Sequence, residues 1–168
     1  MTRHAVLALD LGTKCGWAVA APMGQRVISG EADPVPYLPS VNSGVWDLSP
    51  RRFDGGGMRY VRFQKFFEEM LADETRHHVY FEEVRAHKGT DAAHIYGGLM
   101  ATLTAACELR GIPYAGVPVG RIKKFWTGKG NAGKPEMLAA AVKRGYAPKD
   151  DNEADALALL HCILEEGE

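Results

Sequence analysis

Apolar positions along the chain fall into short runs near the N-terminus and longer periodic stretches further on. "HAVLALDLG" carries a continuous apolar run that stops at Asp10 and Gly12, the pattern of a strand buried on both faces. "GWAVAA" and "QRVISGE" follow at short spacing, with Pro22 and Gly24 between them, and predict two further strands in an antiparallel meander. Residues 33–57 hold four prolines and four glycines and little periodicity, so a long loop insert is expected there. In "MRYVRFQKFFEEMLADE" the apolar residues Val61, Phe63, Phe66, Phe67, Met70 and Leu71 recur at helical spacing. "HVYFEEV" reads as a short strand, "DAAHIYGGLMATLTAACELRG" as a long helix stopped by Gly111, and "IPYAGVPV" as another strand. "GRIKKFW" predicts a short helix, and Pro135 suits the first turn of a helix running to about Arg144. A last helix is expected from about Asn152 to Leu164.

The predicted order is βββ-α-β-α-β-α-α-α. It implies an α/β fold in which one five-stranded mixed sheet carries helices on both faces. At 168 residues, 46% of them hydrophobic, the chain is expected to form a single domain over 1–168 with a normal core. No apolar run reaches the roughly 18 residues that a membrane span needs. "MTRHAVLALDLGTK" reads as a strand rather than a signal peptide. Cys15, Cys107 and Cys162 are odd in number and lack CxxC spacing, which points to a cytoplasmic chain with neither a zinc site nor a disulfide framework.

The formal net charge of −1 does not by itself announce a nucleic-acid partner. Its distribution is more informative, because Arg121 to Lys149 contains eight Lys/Arg against the single acid Glu136. A local basic face binds phosphates whatever the total charge. A solvated surface explains such a run about equally well on its own.

The acids decide between these readings. Asp10 ends an apolar strand, and Glu82 and Glu83 sit inside another, where an unpaired carboxylate is costly. Strand residues alternate faces, so one of Glu82 and Glu83 points to a given side. If the first and fourth strands are neighbours, Asp10 and that glutamate approach each other. The last helix opens with "DDNEAD", in which Asp151 and Asp155 share a face at i, i+4 and Asn152 and Asp155 at i, i+3. Acids here also suit a helix N-terminus electrostatically and as caps, so the stretch alone reads as an ordinary helix start. Clustered carboxylates repel, and a divalent cation relieves the repulsion; Mg²⁺ favours oxygen ligands and keeps waters, which suits a site that also takes a phosphate.

"LALDLGTKCGWAV", "VYFEEV" and "DNEADALALL" together resemble the three acidic motifs of RuvC-type Holliday-junction resolvases, whose fold is RNase H-like. The long segment 33–57 is closer to phage-encoded members. The resemblance implies a homodimeric, Mg²⁺-dependent endodeoxyribonuclease (Mn²⁺ as substitute) that acts on branched DNA such as a four-way junction, leaves 5′-phosphate ends, and needs no membrane. It assigns Asp10, Glu82 and Asp155 as metal ligands. The position that usually supplies the fourth is Asn152 here, so Asp151 is the better carboxylate, with Asn152 and Glu153 left open. Lys123 and Lys134 match positions that approach the scissile phosphates, Lys134 among the catalytic set, with Lys124 and Lys129 in the same patch. After Glu82, where the family commonly has a base-stacking aromatic, this chain has "EEVRAHKGTD", which offers Arg85 and Lys88 as DNA contacts. Arg59 and Arg62, beside the insert, extend that surface. The long helix between Asp91 and Arg110, rich in small residues, is the candidate dimer interface. Rival readings are a YqgF-like nuclease of the same superfamily, an inactive RNase H-like DNA-binding module, and an actin-like ATPase. The last shares the "DLGT" motif but needs two such domains.

Overall fold

A computed structural model of the chain describes residues 4–22, 25–26, 35–36, 40–72, 76–87 and 89–166. Its centre is a five-stranded sheet in the order β5-β2-β1-β6-β7. Strand β1 (Ala5–Asp10) lies in the middle, antiparallel to β2 (Lys14–Ala20) and parallel to β6 (His77–Glu83). Strand β6 in turn pairs in parallel with β7 (Tyr114–Pro118). Two strands, β3 (Gln25–Arg26) and β4 (Val35–Pro36), form a separate antiparallel ribbon.

The outer partner of β2 is β5 (Val41–Asp47), in register from Lys14↔Asp47 to Ala20↔Val41. Two expectations are corrected here. The third strand of the sheet is not "QRVISGE": Gln25 and Arg26 belong to the ribbon, and residues 27–31 lie outside the described residues. Nor is 33–57 a loop throughout, since 41–47 is sheet. The physical reason is that "VNSGVWD" is an edge strand whose one large buried side chain is Trp46. Its weak alternation hides behind Gly44, over which the Trp17 ring lies.

Alternation along β1 sends side chains into two cores. Leu7 and Leu9 meet Phe63 and Phe67 of α1 (Met58–Met70) and Leu99 and Leu103 of α2 (Thr90–Arg110). Val6 and Ala8 meet the opposite layer, formed by α3 (Val119–Thr127), α4 (Lys134–Lys143) and α5 (Asp151–Glu166). The α/β class and the two helical faces are as the pattern predicts. Among the described residues no helix is long and apolar enough to cross a membrane.

Helix α5 is buried almost all round, from Ala154 through Leu160 to Ile163, because it is wedged between the sheet and α3 and α4. Asp150 caps it, its side chain accepting from the Glu153 N–H at 3.0 Å. The first turn then lies directly on β2. A Cβ at Gly16 would stand 1.9 Å from the Asn152 carbonyl oxygen. Only a hydrogen there lets the helix come so near, and both contacting groups are backbone. Gly16→Ala should therefore cost ~1–3 kcal/mol of stability as the helix start is pushed off the sheet, measured by urea unfolding; a variant as stable as the parent would contradict this packing.

Candidate metal centre

Asp10 is the last residue of β1, and Glu82 is the next-to-last of β6, the parallel neighbour of β1. The parallel pairing brings both acids to the same end of the sheet. Asp155 comes from the first turns of α5, lowered onto that end by the contact at Gly16. Each of the three offers a carboxylate oxygen, and these oxygens lie within 4.8 Å of one another. Among the described residues this is the one group of three or more potential metal ligands brought so close.

The electrostatics show how costly the arrangement is. Asp10 is held well above the usual carboxylate range, first by burial, then by the charges of Glu82 and Asp155 and a hydrogen bond shared with Glu82. Glu82 is also raised by burial, against which the Asp10 hydrogen bond and the Lys123 charge pull it down. Asp155 is pushed up to about 7, chiefly by burial and next by the Glu82 charge, with Lys123 opposing. The Oδ1 atom of Asp155 is buried and has no hydrogen-bond partner. Three hard oxygen donors in mutual repulsion, one with an orphaned atom, are what a divalent cation would satisfy.

Asp151 stands beside this group rather than in it. Its carboxylate pairs with Lys134 at 2.5 Å, close enough for its charge to act on Asp10 and Asp155. The pair, with the Asp155 and Asp10 charges behind it, holds the exposed Lys134 ammonium above its ordinary value. Asn152 turns its amide to Asp150 at 3.3 Å and packs its carbonyl on β2. Glu153 faces the other way: it is buried and accepts from Ser43 Oγ and the Lys149 N–H, both at 2.7 Å. It thus ties edge strand β5 to the start of α5. Glu83 points away from the cluster and pairs with the exposed Arg85 at 3.7 Å.

The basic residues divide. Lys123 and Lys134 face the carboxylates, as their charges on Glu82 and Asp155 show. Lys124, one position round α3, instead lines a cavity with Gly120, Arg121, Phe125 and Glu166. Lys129 pairs with Glu136 at 3.0 Å on the loop before α4. Arg62 turns inward to Asp54 at 2.5 Å and to the Ser49 carbonyl at 3.2 Å. The Nε of Arg59 is buried without a hydrogen-bond partner. Lys88 lies outside the described residues.

Two positioning residues carried no sequence signal. Gly16 reads as an ordinary glycine inside a strand pattern. Tyr96 reads as a core aromatic of α2, yet its hydroxyl donates to the Glu82 carbonyl at 2.9 Å and accepts from the Val84 N–H at 3.2 Å. One side chain thus closes the two backbone groups that flank the end of β6 and fixes where Glu82 stands.

No family model matches the chain. It is 30% identical over 161 residues to the crossover junction endodeoxyribonuclease RuvC of Anaeromyxobacter sp. (strain K), spanning 95% of this chain and 80% of that protein. The same identity and coverage hold for the enzyme of that name from Anaeromyxobacter dehalogenans (strain 2CP-C). Among solved structures, T. thermophilus RuvC in complex with Holliday junction substrate superposes with a TM-score of 0.68 at 21% identity, covering 96% of this chain and 93% of that one. At that identity the likeness concerns the fold, which is RNase H-like.

The raised carboxyls predict an inverted pH dependence. A carboxyl whose folded pKa lies above its unfolded one favours folding at low pH, and the contribution is lost as pH rises towards the folded value. For Asp155 that window runs from the ordinary 3.8 to about 7. In chelator, Asp155→Asn should be more stable than the parent at pH 8, by an amount on the order of 2 kcal/mol, and the gap should close near pH 4. Thermal unfolding at the two pH values checks this; an offset independent of pH would contradict it.

Proposed function

The chain belongs to the RuvC family of crossover junction endodeoxyribonucleases, and on that premise we propose that it cuts Holliday junctions or other branched DNA by cation-dependent phosphodiester hydrolysis. The observation that carries the reading is the meeting of Asp10, Glu82 and Asp155 from three separate elements at one end of the sheet. An inactive binding module would have no reason to hold three repelling acids together.

Asp10, Glu82 and Asp155 would hold the cation, with Asp151 as a fourth carboxylate available once Lys134 turns to DNA. A divalent ion there supplies Lewis-acid polarisation of the phosphate and a water of lowered pKa, and the all-oxygen donor set suits Mg²⁺, with Mn²⁺ as substitute. Lys123 and Lys134 attract the scissile phosphate and offset the charge that grows on it in the transition state. The Lys134–Asp151 pair keeps that ammonium at the mouth of the site before DNA arrives. Attack of a water on the phosphorus would form the new P–O bond and break the bond to the 3′ oxygen, which takes up a proton, leaving a 3′-hydroxyl and a 5′-phosphate that a ligase can seal. Lys124, Lys129, Arg59 and Arg85 would extend the DNA contact on either side, with Lys88 beside Arg85 in sequence.

Paired cuts across a two-fold junction need two such sites, so the working unit is proposed to be a homodimer. Helix α2 supports this. Tyr96, Leu99 and Leu103 fill its inner face, while Ala101 and Ala105 are exposed on the outer side and Leu109 is 86% accessible. The chain as a whole is proposed to act as a single nuclease domain in the cytoplasm.

Two outcomes are expected. Asp10→Asn should abolish Mg²⁺-dependent cleavage of a synthetic four-way junction while junction binding persists; retained cleavage would sink the assignment. Lys134→Ala should weaken junction binding and reduce the slope of log Kd against log salt by about one; an unaltered slope would place Lys134 outside the DNA interface.

A further inference from the structure

Strand β5 runs towards the carboxylate end of the sheet, since Asp47 pairs with Lys14 and the Leu48 N–H donates to the Thr13 carbonyl at 2.9 Å. Residues 48–57 therefore leave the sheet on the same side as Asp10. Proline and three glycines suggest a slack loop, but its hydrogen bonds say otherwise. Asp54 Oδ2 accepts from the Arg51 N–H at 2.6 Å and pairs with Arg62 at 2.5 Å, their side chains only 14% and 12% accessible. Arg62 also donates to the Ser49 carbonyl, and the Asp54 N–H donates to the Arg51 carbonyl at 3.0 Å. A shielded ion pair thus fixes the tip between Arg51 and Asp54.

What the fixed tip presents is Phe53, 91% accessible, more than any other large hydrophobic side chain among the described residues. A ring so exposed adds almost nothing to the core. The Arg52 guanidinium stands over the ring, 5.2 Å from its centroid, so Arg52 backs one face and the other is open. Around it the charge is one-sided. Between residues 48 and 62, Arg51, Arg52, Arg59 and Arg62 face a single acid, Asp54, which Arg62 neutralises. An ordered aromatic with an open face, backed by arginine in a basic surround, has the chemistry that stacks a nucleobase while holding its phosphates. A second copy of the chain fits less well, because a symmetric contact through this patch would set the arginines of the two copies against each other.

We propose that Phe53, backed by Arg52, is a stacking platform for a DNA base left unpaired at the branch, carried on the β5–α1 loop that leaves the sheet at its carboxylate end. The inference rests on the branched-DNA reading above and names the part of the DNA this loop takes. It needs no hydrolysis: the platform stabilises the opened branch and favours DNA with a base free to leave its stack over continuous duplex.

Fluorescence anisotropy in chelator, on a four-way junction and on a linear duplex of equal length, tests this with the full chain. Phe53→Ala should raise Kd for the junction ~10-fold and leave the duplex within about 2-fold, while Phe53→Tyr should keep both near the parent value. Phe53 supports no core, so loss of folding does not cloud the comparison. Equal weakening on both DNAs, or no effect on the junction, overturns the platform. So does a Phe53→Ala variant whose sedimentation shows a lost dimer, which would assign the patch to a second copy. Failure of the underlying reading looks different: the parent protein itself would then show no preference for the junction over the duplex.

Discussion

Helix α5 meets β2 backbone to backbone, with only the hydrogen of Gly16 between the strand and the Asn152 carbonyl. The site depends on that closeness. Asp155 sits one turn further along the same helix, and Asp10 is the register partner of Gly16 on the adjacent strand. Moving the helix start off the sheet would carry Asp155 away from Asp10. Other features secure the same approach. Asp150 caps the helix, and Glu153 clamps its start to Ser43 on β5 and to the chain before it. The acids at the head of α5 thus have separate roles. Asp150 and Glu153 build the helix start, Asp151 orients a lysine, and Asp155 faces the other strands.

Bringing Asp155 to Asp10 and Glu82 sets burial against charge. Burial disfavours the charged form of each carboxyl and is the largest cause of the upward shift for all three. Lys123 and Lys134 soften the repulsion without removing it, because Lys134 is mostly exposed and screened by solvent. A fold that keeps such a cluster keeps it for a ligand of opposite charge. On the proposed reading, the lysines on its rim would serve a second ligand, an anionic one, so that cation and phosphate would be drawn to one place by complementary halves of the same site.

Much of this was legible in the residues. Leu7 and Leu9 alternate with Val6 and Ala8, which calls for two buried faces, and acids ending two apolar strands call for a shared partner. Asp10, Glu82 and Asp155 meet as the three motifs imply. The remainder depended on distances no pattern encodes. Strand β5 was hidden because an edge strand buries little and Gly44 interrupts it. The structural role of Glu153, left open as a ligand by the local pattern, is invisible there because its partner Ser43 lies 110 residues off in sequence. Tyr96 looked like core packing because an aromatic at helical spacing usually is, and its hydroxyl bonds only become visible once β6 is placed beneath α2.

Everything proposed for the site requires the carboxylates to bind a divalent cation as deprotonated ligands. Titration calorimetry of Mn²⁺ into the full chain at pH 6, repeated in two buffers of different ionisation enthalpy, reads affinity and proton release together. Saturable binding with net proton release is expected, weakened in Asp155→Asn. Binding that releases no proton, or that survives loss of Asp155 undiminished, would contradict a carboxylate-held cation.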